Sequence, residues 1–147
     1  MLDDRTYVRT PKNAEARRTQ VRTGDVLLSI TADLGRSAAI PEGFPIAYIN
    51  QHLAILRTHG LNPIFLAVLL SCDAAKRKWD SIDRNAVKSG LNFDDIRTFR
   101  IVVPPLPLQQ KFAALVQRED RLRAVQLEAL RQAEHFFASL LHCAFNG

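Results

Sequence analysis

The chain contains few of the residue patterns on which metal binding, secretion or membrane insertion usually depend. Its two cysteines, Cys72 and Cys143, lie far apart and lack the spacing of a metal site. That usage is typical of buried, reduced thiols, so we expect a cytoplasmic protein. The longest apolar run, residues 64–70, is far too short to cross a membrane. Residues 1–5 lack a basic flank followed by an apolar core, so no secretory signal is expected.

The usual catalytic motifs are also missing from the sequence. The glycines are scattered singly, as in turns, and do not form a phosphate-binding loop. The four histidines show no zinc-site spacing, and no serine lies in a nucleophile elbow. Asp25 resembles a nuclease carboxylate, but no Glu-x-Lys pair follows it on a neighbouring strand. We therefore expect no catalytic residues, no metal ligands and no cofactor in this chain.

A long helix is the strongest feature that the sequence does contain. A proline cluster at residues 102–107 cannot lie inside a helix or a central strand. From Leu108 to Asn146 there is then neither glycine nor proline, and good helix formers dominate. Pro107 suits the first turn of this helix. The prediction is one helix of about 37 residues, roughly 55 Å long at 1.5 Å per residue.

The apolar residues of this helix form two seams, and the seam position between them falls on Glu119 and Gln126. The predicted interface residues are Leu108, Phe112, Leu115, Leu122, Leu130, Phe137 and Leu141. Such seams are typical of a coiled-coil helix that packs on a partner. A core helix lying on its own domain is the alternative. We favour a partner helix, because the preceding domain is too short to cover it.

The first part of the chain predicts a small mixed sheet domain. The predicted strands are residues 26–30, 38–40, 46–49, 53–57 and 99–103. Residues 63–79 predict a helix capped by Asn62, and a shorter helix follows the cap residue Asn92. Residues 1–20 and 80–88 have the polar composition of loops. We therefore predict an α+β fold, with a domain at residues 1–103 and the proline junction and long helix at residues 104–147.

The formal net charge is +5, and the positive excess lies in the first domain. A basic surface permits a polyanionic partner. The candidate nucleic-acid contacts are Arg36, Lys76, Arg77, Lys78, Arg84, Asn85 and Lys88. Arginine and asparagine in loops can make paired hydrogen bonds to guanine and adenine. The alternatives remain open: ordinary polar loops, and a solvated helix end in a favourable dipole position at residues 76–78.

Two stretches together resemble the specificity (S) subunits of type I restriction-modification systems. Residues 24–30, Gly-Asp followed by apolar residues, are similar to a strand of their target-recognition domains. Residues 101–112 are similar to the junction at which such a domain enters a long helix, and residues 136–145 to the end of that helix. The S subunit has two recognition domains and two long helices. The chain therefore resembles a truncated form, with part of one recognition domain and one helix.

This resemblance implies a sequence-specific DNA-binding module without catalysis of its own. The domain would read part of a bipartite site on double-stranded DNA, and the helix would set the distance to the second half-site. Methyltransferase (M) subunits, and possibly restriction (R) subunits, would dock there, with S-adenosylmethionine bound in the methyltransferase. A homodimer or a complementing half-subunit would form through the helix. The alternative is a helical interaction fragment, or a non-functional remnant, that does not bind DNA by itself.

Overall fold

The computed structural model describes residues 14–84 and 90–146. A three-stranded sheet and four short helices form a head, and a long helix extends from it, so the predicted α+β class is confirmed. In chain order the elements are α1 (Ala14–Thr19), β1 (Val26–Ser29), β2 (Ser37–Ala39), β3 (Leu53–Leu56), α2 (Pro63–Ser71), α3 (Asp73–Arg84), α4 (Phe93–Thr98) and α5 (Leu106–Asn146).

Strand β1 lies at the centre of the sheet and pairs antiparallel with β2 on one side and β3 on the other. Leu27 is opposite both Ala38 and Ile55. The side chains of Val26 and Leu28, two residues apart, are fully buried, because alternate residues of a strand point to the same face. Helices α2 and α3 cover that face and complete the core.

Two of the predicted strands are wrong. Residues 46–49 form only an isolated bridge, between Tyr48 and Gln20. Residues 99–103 do not form a strand, and Val102 and Val103 are exposed. β-branched residues favour strands only where they fit a half-buried sheet surface, and no sheet edge receives these residues.

The helix predicted for residues 63–79 is in fact two helices. Cys72 has an extended backbone, with φ −68° and ψ 157°, and separates α2 from α3. This break lets α3 turn back toward the core, where the indole Nε1 of Trp79 donates to the carbonyl of Leu70 at 3.0 Å. The predicted loops are also shorter than expected, since α3 continues to Arg84 and α1 occupies residues 14–19. Residues 1–13 lie outside the described part of the chain.

Both predicted helix caps are confirmed. The side chain of Asn62 accepts hydrogen bonds from the first backbone N–H groups of α2, and Asn92 does the same for α4. At α4, Asp95 also accepts from the backbone N–H of Asn92, which completes a capping box. Each cap satisfies N–H groups that have no partner within the helix.

Asp25, the acidic residue of the Gly-Asp strand, has a structural role in the head. Its side chain is buried and pairs with Arg57 just beyond β3. Asp25 Oδ1 accepts from Arg57 Nε at 2.9 Å, and Oδ2 accepts from Arg57 Nη2 at 3.1 Å. Oδ2 also accepts from the backbone N–H of Arg22 at 2.7 Å. The carboxylate therefore joins the turn before β1 to the end of β3.

Gln109 fastens the long helix to the head. It is 1% exposed, and its amide spans two elements. Oε1 accepts from the backbone N–H of Asn62 at 2.8 Å, at the start of α2. Nε2 donates to the carbonyl of Pro104 at 2.8 Å, in the proline junction. Since buried polar groups must be paired, this amide fixes where α5 leaves the head.

Among the described residues, only the first turns of α5 pack on the head. Ala113 is buried, Val116 is partly buried, and the rings of Phe112 and Phe65 meet edge-on with centroids 5.9 Å apart. Every residue from 117 to 145 is exposed in the single chain. The helix thus begins two residues earlier than the Gly- and Pro-free run, spans 41 residues and projects beyond its own head.

The predicted burial of the two cysteines is not found, because Cys143 is exposed on the projecting helix and Cys72 is only partly buried. Both are unpaired thiols. Within residues 14–84 and 90–146, no helix is long and apolar enough to cross a membrane.

Candidate nucleic-acid interface

Arg36 lies in the loop between β1 and β2. The backbone N–H of Ser29 donates to the carbonyl of Arg36 at 2.8 Å, and the N–H of Gly35 donates to the carbonyl of Ser29 at 3.1 Å. These bonds close the loop and place the side chain of Arg36, which is 81% exposed, on the surface. Arg36 Nη1 lies 3.5 Å from Asp33 Oδ2. The guanidinium is therefore available to solvent and weakly held by one carboxylate.

Lys76, on α3, meets the same carboxylate. Its Nζ lies 3.9 Å from Asp33 Oδ1. Two predicted site residues that are forty positions apart in sequence thus contact the same carboxylate, Asp33. The tertiary structure brings them together. The i,i+3 spacing of Asp33 and Arg36 was the available signal for Asp33, and sequence reasoning missed it.

The position of α3 beneath this loop depends on Trp79. Its indole is fully buried, stacks on the ring of Phe99 with centroids 3.6 Å apart, and lies against Gly35. Gly35 has φ +79°, a conformation that L side chains rarely adopt. Because Gly35 precedes Arg36, the close approach of indole and loop backbone also sets the distance between Arg36 and Lys76.

Of the other predicted nucleic-acid contacts, the structure describes the side chains of Arg77 and Lys78. Arg77 is exposed on α3 beside Lys76. Lys78 lies 5.6 Å from the centroid of the Phe99 ring, in a cation–π contact, and so serves the packing of the core as well as the surface. Asn85 and Lys88 lie outside the described residues, as does the side chain of Arg84.

Polar side chains from other segments lie at the same end of the sheet. Thr31 Oγ1 and His52 Nδ1 are 3.0 Å apart, and the N–H of Ile30 donates to the carbonyl of His52. The carbonyl of Ile30 accepts from the N–H of Leu91 at 2.8 Å. Sequence reasoning did not select Thr31 or His52, because neither stands in a charged cluster. We name this end, comprising the β1–β2 loop, the turn before β3 and the start of α3, the loop end.

The charges at the loop end suit an anion better than those of the groove beside α5. That groove, of about 730 Å³, lies between β2, α2 and α5, and its charged lining residues are Glu42 and Asp120. At the loop end, by contrast, Arg36 and Lys76 share Asp33, and Arg77 offsets Asp73 at the start of α3, which leaves a net positive charge. A guanidinium can donate paired hydrogen bonds to a phosphate or to the edge of a guanine. The loop end is therefore the candidate nucleic-acid interface.

A family comparison identifies the kind of domain that carries this surface. The family model described as the type I restriction modification DNA specificity domain matches residues 10–134. The chain belongs to this family. The match includes the Gly-Asp strand, the loop end, the proline junction and most of α5, so it confirms the resemblance that the motifs indicated. Specificity domains of this family are modules that recognise DNA. No curated protein matches the chain.

Proposed function

We propose that this specificity domain reads part of a bipartite site on double-stranded DNA through its loop end. The observation that carries the proposal is the meeting of Arg36 and Lys76 at Asp33, on an exposed surface of a domain from a DNA-specificity family. On binding, phosphates or base edges take the place of Asp33 as partners of the two cations. Arg77, Lys78, Arg84, Asn85 and Lys88 are proposed as further contacts.

The parts of the chain have separate tasks in this proposal. Residues 1–103 recognise DNA, and residues 104–147 form the proline junction and a coiled-coil spacer. The exposed apolar residues of α5 pack on a like helix in an antiparallel arrangement, in a homodimer or with a complementing half-subunit. Methyltransferase subunits, and possibly restriction subunits, dock on the assembly in the cytoplasm. The chemistry belongs to the methyltransferase and its S-adenosylmethionine, while this chain supplies sequence recognition.

Removing the two cations that contact Asp33 should weaken DNA binding more than removing two cations elsewhere on the chain. We expect Arg36→Ala with Lys76→Ala to lower retention on duplex DNA, measured at rising salt with and without a methyltransferase subunit. If both side chains neutralise phosphates, the slope of log K against log salt falls by roughly 0.9 for each cation that is removed. If Arg36 reads a base, its removal weakens binding selectively, by about 1–3 kcal/mol at the preferred sequence.

The matched control is the removal of cations remote from the loop end. Arg118→Ala with Arg121→Ala also removes two exposed positive charges, here from α5. This variant should leave the binding curve and its salt slope close to those of the parent chain. Equal losses for both double variants would assign binding to net charge and not to the loop end. An absence of DNA binding with and without the methyltransferase would contradict the proposal.

A second candidate function, a helical interaction element that does not bind DNA, rests on the exposed apolar seam of α5. The two candidates differ in the DNA measurement but share the pairing of helices. Both are therefore tested first by the association of the chain with itself.

Replacing Leu122 should disrupt that association. Leu122 is 54% exposed in the single chain and lies at the middle of the predicted seam. We expect the parent chain to sediment as a dimer and Leu122→Glu as a monomer at the same micromolar concentration. Burial of a leucine contributes about 1.5–3 kcal/mol, and the loss occurs twice in a symmetric dimer. The dissociation constant should therefore rise by at least about 100-fold.

Ala124→Glu is the control for this variant. Ala124 is exposed on the same turn of α5, but its position in the helix places it away from the seam. Glutamate is a good helix former, so neither substitution should reduce the helix content measured by circular dichroism. If the parent chain is a monomer with a well-formed helix, pairing through α5 is contradicted.

A further inference from the structure

Helix α2 has more apolar surface than its own chain covers. Eight of its nine residues are apolar or proline, with Ser71 as the exception, yet only Leu66, Ala67 and Leu70 are buried. Phe65 and Leu69, four residues apart and therefore on one face, are only partly buried. A helix that is apolar on all sides is usually buried on all sides. The face of Phe65 and Leu69, which we call the head face, is therefore incompletely covered.

The projecting part of α5 carries an apolar stripe for which the described residues of its own head offer no partner. Leu127, Leu130, Phe137 and Leu141 are between 42% and 69% exposed and define the tail stripe. Each is separated by a multiple of seven residues from one of the positions that pack α5 on its own head. Leu130 and Phe137 correspond to Gln109 and Val116, and Leu127 and Leu141 correspond to Ala113. In a seven-residue repeat these positions share one side of the helix.

The same helix side is thus covered by the head near the start of α5 and left apolar and uncovered near its end. A second, adjoining seam continues along the whole helix at alternating spacings of four and three residues. It consists of Leu108, Phe112, Leu115, Glu119, Leu122, Gln126, Ala129, Ala133, Phe136 and Leu140. We call it the arm seam. Leu130, Phe137 and Leu141, which the sequence predicts as partner contacts, lie in the tail stripe and not in the arm seam.

Antiparallel pairing along the arm seam brings the tail stripe to the other head. On each helix, the flank that bears the head-packing positions and the tail stripe lies next to the arm seam. In an antiparallel pair with the two seams facing each other, these flanks lie on the same side of the pair. The head of the first copy lies on that flank, beside the first turns of its α5. The reversed helix places its tail stripe on the same flank, at the same end of the pair. In a parallel pair the two tails would lie together, away from both heads.

We infer that each tail stripe packs on the head face of a second copy of this chain. This inference rests on the proposed antiparallel pairing and goes beyond it, because it makes each arm contact the other head as well as the other arm. Aligning Leu108 with Leu140 of the second copy also aligns Phe112 with its Phe136. Phe137 of the second copy then lies beside the turn from Gln109 to Phe112. That turn adjoins the head face, since Phe112 already meets Phe65 there.

This contact has a consequence for DNA reading. If the second copy contacted only α5, each head could change its orientation as its own proline junction bends. When the tail of the second copy packs on the head face, each head is held by its own junction and by that tail. The relative orientation of the two heads is then fixed. The spacing between two half-sites would then be set by three contacts, one between the arms and one at each head.

Cysteine pairs test the contact in the full chain, in a Cys72→Ser, Cys143→Ser background. Leu69→Cys with Phe137→Cys reports the head contact, and Leu108→Cys with Leu140→Cys reports antiparallel arm pairing. A short bifunctional thiol reagent should convert both variants to covalent dimers. In the control, Leu69→Cys is combined with His135→Cys, an exposed position on the opposite side of the arm. This control should cross-link at least tenfold less.

The outcomes separate the inference from the pairing on which it rests. If the arm variant cross-links and the head variant does no better than its control, the inference is overturned while antiparallel pairing stands. A tail stripe covered by another kind of subunit would give that result. If neither variant cross-links and the chain sediments as a monomer, the pairing itself is overturned. Cross-linking of both variants, above the control, supports the inference.

A variant confined to the arm keeps the test valid if a cysteine at position 69 unfolds the head. Phe137→Ser should raise the dimer dissociation constant at least tenfold. Phe145→Ser removes an equally large exposed ring outside both stripes and should leave that constant unchanged. Equal effects of the two substitutions would overturn the inference.

Discussion

Gly35→Ala should destabilise the head by about 2–5 kcal/mol, enough to unfold much of it if its stability lies at the low end of the usual range. A Cβ at this position would lie 2.2 Å from Cδ1 and 2.8 Å from Nε1 of Trp79. The indole cannot move aside, because it stacks on Phe99 and donates to the carbonyl of Leu70. Overpacking of a core costs about 1–3 kcal/mol. The left-handed backbone at φ +79° adds about 1–2 kcal/mol for a residue with a side chain.

Trp79 is the only tryptophan in the chain, so its fluorescence during urea unfolding measures this effect directly. Gly60→Ala is the matched control. Gly60 also has a positive φ, of 76°, but a Cβ there would meet no atom within 4 Å. Gly60→Ala should lower the free energy of unfolding only by the backbone contribution of about 1–2 kcal/mol. Equal losses at the two glycines would mean that the indole does not press against the loop as the structure indicates.

Asp25→Ala should cost about 2–4 kcal/mol of unfolding free energy, measured in the same urea assay. The substitution removes three hydrogen bonds and leaves the backbone N–H of Arg22 without its acceptor. Breaking a buried ion pair costs about 3–5 kcal/mol when both charges are buried. The side chain of Asp25 is 4% exposed, but that of Arg57 is 39% exposed, so we expect a value near or below the lower end of that range.

Asp33→Ala is the corresponding control at the surface. Asp33 also pairs with an arginine, but its side chain is 54% exposed. Exposed ion pairs contribute about 0–1 kcal/mol, so this variant should unfold close to the parent chain. It should also free Arg36 and Lys76 for an anion. If Asp25→Ala and Asp33→Ala destabilise the head equally, the buried Asp25–Arg57 ion pair does not stabilise the head more than an exposed pair does.

Local signals were sufficient for the elements with strong sequence chemistry. Asn62 followed by proline predicts the start of α2, and Asn92 followed by two aspartates predicts the start of α4, because capping acts within a single turn. The absence of glycine and proline after residue 107 similarly predicts α5. Residues 99–103 misled for the opposite reason, since their apolar and β-branched side chains fit a strand but no sheet edge receives them.

The candidate interface shows the same division. Exposed arginines and lysines could be selected from the sequence because charge is visible there. Their grouping could not, since Asp33 joins Arg36 to Lys76 only after Cys72 breaks the helix and Trp79 packs beneath the loop. Gln109 was visible as part of the junction motif, but its role in fastening α5 requires the start of α2 to lie beside it.

By itself, the sequence determined the family, the α+β class, the helix caps and the long projecting helix, because these follow from local propensities and short motifs. The tertiary structure alone decided which cations stand together, that Asp25 is a structural carboxylate, and which side of α5 its own head covers. Such features depend on contacts between residues that are distant in the chain. The linear order of residues contains the side chains that meet but not the geometry that brings them together.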